Sequence, residues 1–208
     1  MNELIKSIET LKNSEVSDTV EKRIEQFSSV FRSGINEIFK ELCFCIMTAN
    51  CGAKKCIEVQ HNINDGFLTF TEDELKEAFK EFGYRFPNIR AEYIIEARNY
   101  LTELESKLNS NIREIDLRNW IVNNIKGLGY KEASHFLRNI GYKNFAIIDF
   151  HIIDLLVNYD IIERPKTLTK KKYMEIESIL KKLGDKINLD MGPLDLYLWY
   201  METNEILK

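Results

Sequence analysis

The chain reads as an all-α protein, and three observations predict it. Apolar residues recur at the three- and four-residue spacing of a helix face through most of the sequence. Helix starts carry capping residues and helix ends carry glycine, as at Thr71-Glu72-Asp73-Glu74 and Gly83. Strand-like alternation is confined to one short stretch, Phe67-Leu68-Thr69-Phe70.

The predicted elements follow in chain order. Ser17–Ser33 carries Val20, Ile24, Phe27 and Phe31 on one stripe. Ile35–Thr48 shows the same amphipathic pattern. Thr71–Phe82 opens on a capping box and stops at Gly83. Ile89–Leu108 reads as one long amphipathic helix, and Leu117–Ile125 as a shorter one. Lys131–Ile140 stops at Gly141, and Phe150–Tyr159 follows behind Asp149. Thr169 is a plausible N-cap for Thr169–Leu183, with Gly184 marking the stop. Asp190 lies at or near the cap of Pro193–Ile206.

At 208 residues the chain can bury one core or fold as two small helical lobes sharing a cleft. Nine glycines and three prolines are too few for a flexible tether, and no repeat is present. No apolar run approaches the roughly 20 residues of a membrane span, and Met1-Asn2-Glu3-Leu4-Ile5-Lys6 lacks the features of a signal peptide. An intracellular location, cytoplasm or nucleoid, is the expectation. The net charge of −4 argues against a surface basic all over, and composition alone points toward a small-molecule enzyme. A local basic cleft on an acidic protein is still compatible with nucleic acid.

The four cysteines, Cys43, Cys45, Cys51 and Cys56, fall in one short segment. Their C-x-C-x5-C-x4-C spacing fits no standard zinc or iron–sulfur pattern, and Cys43 and Cys45 would sit about 200° apart on a helix. No metal site is expected; Cys43 and Cys45 read as small buried hydrophobes. Abundant Lys, Glu and Ile with few Gln is a heat-adapted composition, in which intracellular disulfides occur, so a Cys51–Cys56 contact stays open.

The chemistry concentrates in Ile125-Lys126-Gly127-Leu128-Gly129-Tyr130-Lys131. One helix ends near Lys126, another starts at Tyr130 or Lys131, and Gly127 and Gly129 flank an apolar anchor, Leu128. Such a turn can present first-turn N–H groups to a phosphate, with Gly127 and Gly129 leaving room for its approach. It can equally be a plain helix–turn–helix corner. Lys131 lies just past the turn; further on, the apolar run Phe145-Ala146-Ile147-Ile148 leads to Asp149 at a helix start, followed by Phe150-His151.

These two segments together resemble the helix–hairpin–helix glycosylase superfamily, whose members carry L-x-G-[VIL]-G-x-K and then a V-D-x-H-like segment. The order and spacing match; the usual proline before the aspartate is absent, and Arg138 to Ala146 keeps only Gly141 as a breaker. Leu42–Asn50, Phe86–Ile94, the compact length and the absence of a C-terminal cysteine cluster resemble the archaeal and thermophile 8-oxoguanine glycosylases of the second type. That resemblance runs from about Glu37 onward.

The resemblance implies a bifunctional glycosylase/AP lyase acting on duplex DNA that contains oxidised guanine. Lys131 would be the nucleophile, once a pocket strips its solvent, and Asp149 its acidic partner; by position alone Asp149 is as readily a plain N-cap. Gly127, Gly129 and His151 would bind DNA phosphate, His151 having a purely structural alternative. Asn50 stands where relatives place a gap-filling residue; Arg85 and Phe86 are second candidates for orphan base and wedge, core packing being the default for Phe86. Terminal Lys208 is either a base-discriminating residue or a frayed end. His61 and His135 read as structural.

The same resemblance implies lobes of 1–36 with 145–208 and of 37–144, the latter ending in the hairpin. It implies a monomer with no membrane partner and no required cofactor, with hairpin backbone carbonyls offering a place for a structural cation. The rival readings are a glycosylase/lyase for oxidised pyrimidines and a non-catalytic hairpin DNA-binding module.

Overall fold

The structure, a computed structural model, describes residues 1–208, and its regular structure consists of thirteen α-helices. They are α1 (Asn2–Lys12), α2 (Val16–Arg32), α3 (Ile35–Thr48), α4 (Ala53–Ile63), α5 (Gly66–Thr69), α6 (Glu72–Glu81) and α7 (Pro87–Arg98), continuing with α8 (Leu101–Leu108), α9 (Glu114–Asn124), α10 (Tyr130–Asn139), α11 (Phe150–Asn158), α12 (Lys170–Ile187) and α13 (Met191–Thr203). The all-α expectation is met.

The helices group into two compact units, Met1–Ser29 with Leu137–Lys208, and Val30–Phe136. The Val30–Phe136 unit is built on α3, in which every residue from Ile38 to Thr48 is buried. Buried on every side from Ile38 onward, with Lys40 and Glu41 among its buried residues, α3 packs against α4, α5, α7 and α8 at once. Each fully buried Leu, Ile or Phe on it contributes about 1.5–3 kcal/mol. The other unit is organised around α13, which packs on α1, α11 and α12. Leu4 and Ile8, one turn apart on α1, are fully buried there.

Several local expectations are corrected. Phe67-Leu68-Thr69-Phe70 is no strand: Thr69 N–H donates to Asp65 O at 3.1 Å and Phe70 N–H to Gly66 O at 2.9 Å, closing a single helical turn. The Arg98 guanidinium fastens it by donating to the carbonyls of Phe67 and Phe70 at 2.8 and 2.6 Å, and to Gly66 O, which also accepts from Phe70 N–H, at 3.1 Å. The long helix expected over Ile89–Leu108 is interrupted after Arg98, where Asn99 and Tyr100 donate to carbonyls three residues back instead of four. Gly184 does not end α12; the helix continues to Ile187 and closes on Asn188 in the left-handed conformation at φ 55°. Gly184 is instead a point of close approach, since a Cβ there would lie 2.6 Å from Leu189 O. Helices α1 and α4 were not anticipated, although Leu4/Ile8 and Cys56/Val59/Ile63 have helical spacing.

Candidate active site

Helix α9 ends at Asn124, buried Ile125 caps it in extended conformation, and α10 begins at Tyr130. Between them Leu128 is buried, anchoring the turn as its position predicts. Gly127 adopts φ +83°, and a Cβ there would lie 2.6 Å from the Tyr93 ring and 3.3 Å from an Arg90 guanidinium nitrogen. Tyr93 and Arg90 thus fill the side on which a side chain would stand, so that only glycine fits at this position. Gly129 is exposed, and its N–H donates to Glu132 Oε2 at 3.2 Å. The other oxygen of that carboxylate lies 3.8 Å from Lys131 Nζ. Lys131 is therefore three-quarters withdrawn from solvent, its side chain 25% exposed, with a carboxylate bridging its amine and the hairpin N–H.

Asp149 is delivered as the sequence suggests. Phe145 to Ile148 are all buried in a run outside any helix, and polar groups on α12 bond to its backbone. Glu177 accepts from Ala146 N–H at 3.0 Å, and Tyr173 donates to Ala146 O at 2.6 Å. Asp149 then caps α11, with Oδ1 accepting from Ile152 N–H at 3.0 Å. A carboxylate so placed interacts favourably with the positive end of the helix dipole. The half-buried His151 ring lies 4.0 Å from that of Phe150 and edge-on to Trp199 at 4.8 Å, centroid to centroid. Lys208 is half-buried.

Asn50, Arg85 and Phe86 come together on the Val30–Phe136 unit. Asn50 is exposed at φ +61°. Arg85 stacks over the Phe86 ring at 4.9 Å and reaches Asn50 O at 3.5 Å. Phe86 is the residue before Pro87 at the α7 start, as expected for a loop position, and is half-buried. Cys43 and Cys45 are wholly buried in α3. His135 is buried with its ring edge-on to Phe44 at 5.6 Å, whereas His61 is exposed on α4.

Three residues went unnoticed in the sequence. Glu132 looks like one more surface charge until α10 turns it back onto Gly129. Arg90 is buried and links the site: it donates to Ala49 O at 2.9 Å and lies over the Phe86 and Tyr93 rings at 5.8 and 5.5 Å. The signal that could have found it is a cation one turn into a helix that starts beside a loop aromatic. Phe150, adjacent to Asp149, is 64% exposed, unusual for a large apolar side chain.

A buried-apex Gly-Leu-Gly turn between two helices, with a partly sequestered lysine in the next helical turn, defines a helix–hairpin–helix protein of the DNA-binding class. The profile of the family described as 8-oxoguanine DNA glycosylase matches residues 20–189. The chain belongs to that family. It is 51% identical over 206 residues to the 8-oxoguanine DNA glycosylase/AP lyase of Methanocaldococcus jannaschii, covering 99% of each chain. Among solved structures it is similar to the M. jannaschii 8-oxoguanine glycosylase/lyase in complex with a 15mer DNA containing 8-oxoguanine, with a TM-score of 0.94, 50% identity and 99% of each chain covered. It is also similar to the 8-oxoguanine DNA glycosylase of Thermotoga maritima, with a TM-score of 0.92 and 38% identity over 100% of this chain and 99% of that one.

Proposed function

We infer that the chain is a bifunctional 8-oxoguanine DNA glycosylase/AP lyase. The observation that carries this reading is Lys131 in the first turn of α10 behind Gly-Leu-Gly, in a chain that belongs to the family. DNA is the substrate, and the target base is extruded from the stack, because its C1′ cannot be reached inside a duplex.

The Lys131 amine attacks the sugar C1′ as the bond to the oxidised base breaks. Loss of a proton from nitrogen and opening of the sugar ring give the imine, and removal of a C2′ proton expels the 3′ phosphate, cutting the strand. Attack requires Lys131 in its neutral form, and Glu132 is the nearest carboxylate to receive the proton. Asp149, oriented by Ile152 N–H, stabilises positive charge developing on the sugar. The hairpin N–H groups of Gly127 and Gly129 and the His151 ring hold backbone phosphate; Asn50, Arg85 and Phe86 fill the gap and meet the orphan base, and Lys208 discriminates the oxidised base from guanine. The two compact units serve as the lobes that carry these residues, in a monomer acting inside the cell.

Borohydride reduction on an 8-oxoguanine duplex tests the reading. Wild type is expected to form a covalent protein–DNA adduct, and Lys131→Gln to form none while still binding the duplex. Trapping by Lys131→Gln at the wild-type level would place the nucleophile elsewhere, and faster incision of thymine-glycol duplexes than of 8-oxoguanine duplexes would replace the substrate.

A further inference from the structure

Cys51 and Cys56 bracket the start of α4. Gly52 is the N-cap, so Cys51 occupies the position before the cap and Cys56 the fourth helical position. Side chains at those two positions pack on each other in the hydrophobic-staple arrangement. Cys56 N–H donates to Gly52 O at 3.2 Å, fixing the spacing, and Cys51 neighbours the Cys56 thiol. Their accessibility differs: Cys51 reaches solvent, whereas Cys56 is wholly buried, as are Cys43 and Cys45 on α3.

We propose that Cys51 and Cys56 are a peroxide-oxidised dithiol that closes a reversible disulfide immediately after the Asn50 turn. The Cys51 thiolate attacks one oxygen of a hydroperoxide, breaking the O–O bond and leaving a sulfenic acid, with water or an alcohol as the other product. The Cys56 sulfur then attacks the Cys51 sulfur, the S–O bond breaks, and water leaves. Two thiols are oxidised by one hydroperoxide reduced. Burial pushes the Cys56 thiol well up, and the neighbouring Cys51 adds to this, so solvent-accessible Cys51 is the first attacker. The Lys131 and Arg90 cations oppose that rise, and so favour the Cys56 thiolate needed for the second step. The disulfide ties the exposed Asn50 turn, whose preceding carbonyl on Ala49 is already held by Arg90 at 2.9 Å, to the first turn of α4.

The test is brief treatment of the folded, full-length protein with hydrogen peroxide, read by intact mass and peptide mapping. Expected are loss of two hydrogens, a Cys51–Cys56 linked peptide, unmodified Cys43 and Cys45, and full reversal by dithiothreitol. Cys51→Ser, checked by circular dichroism for retained fold, is expected to remain unlinked with Cys56 as a free thiol. Amide exchange over residues 49–56 is expected to slow on oxidation. Sulfinic acid on Cys51 with Cys56 unlinked, a bridge involving Cys43 or Cys45, or no oxidation at Cys51 would overturn the proposal; unchanged exchange would remove its link to the Asn50 turn.

Discussion

At Gly127 two requirements coincide: a left-handed backbone at φ +83° and a Tyr93 ring where any Cβ would stand. Gly127→Ala is therefore expected to lose about 1–3 kcal/mol from the overpacking, with a further penalty for the backbone, read as a fall in Tm. The same substitution at Gly129, which meets only the flexible Glu132 carboxylate at 3.3 Å, is expected to be milder. Arg138, 4% exposed, pairs with Asp195 at 2.7 Å and lies over Phe27 at 4.7 Å. Asp195→Ala leaves that guanidinium without its carboxylate, and a loss of about 3–5 kcal/mol in denaturant unfolding is expected. How much was legible varies residue by residue. Lys131 and Asp149 were visible because their sequence neighbours explain them, a glycine turn for one and an apolar helix for the other. Tyr93 against Gly127 leaves no periodic mark, because the two residues lie far apart in the chain; Glu132 is different, a local partner of Gly129 three residues away whose role shows only once the turn brings its carboxylate back onto that N–H.

Among the elements, the sequence succeeded where local chemistry decides the structure. The Thr71–Glu74 box forms as expected: Glu74 accepts from Thr71 N–H at 2.7 Å and Thr71 Oγ1 accepts from Glu74 N–H at 3.3 Å. The Thr71 N–H, and then its hydroxyl, hold the Glu74 carboxyl below its ordinary value. A depressed carboxylate contributes stability above its unfolded pKa, near 4.3, and loses it as pH falls through the folded value. Glu74→Gln is expected to flatten that acid limb in Tm measured between about pH 6 and pH 3, the carboxylate range, while a neutral amide oxygen still caps Thr71. Failure came where distant partners decide. The one-turn helix α5 depends on Arg98 from α7; the break between α7 and α8 is a local shift to three-residue backbone pairing at Asn99 and Tyr100, which the apolar spacing of the segment does not mark. Helix α4 carries a weak sequence signal because only Cys56, Val59 and Ile63 make up its buried face, among charged and polar neighbours.

For the molecule as a whole, a net charge of −4 has to be reconciled with a polyanionic substrate. Under the proposed function, local contacts to phosphate from the hairpin and its neighbours would resolve this, and their signature is thermodynamic. Duplex affinity is expected to fall with salt on a log–log plot, by about 0.9 in slope per phosphate neutralised, with Lys126→Ala reducing the slope if its amine, now 2.6 Å from Glu96, turns to DNA. A flat plot would mean that phosphate contributes little to binding. The division of the chain carries a consequence for its birth on the ribosome. The Val30–Phe136 unit is one continuous stretch, whereas its companion is assembled from the first 29 residues and those from Leu137 onward. Translation therefore releases α1 early, with Leu4 and Ile8 lacking the α12 and α13 surfaces they bury against until the last helices emerge. The later-born helices decide when the first one folds, and the nascent chain carries that apolar stripe exposed for most of its synthesis.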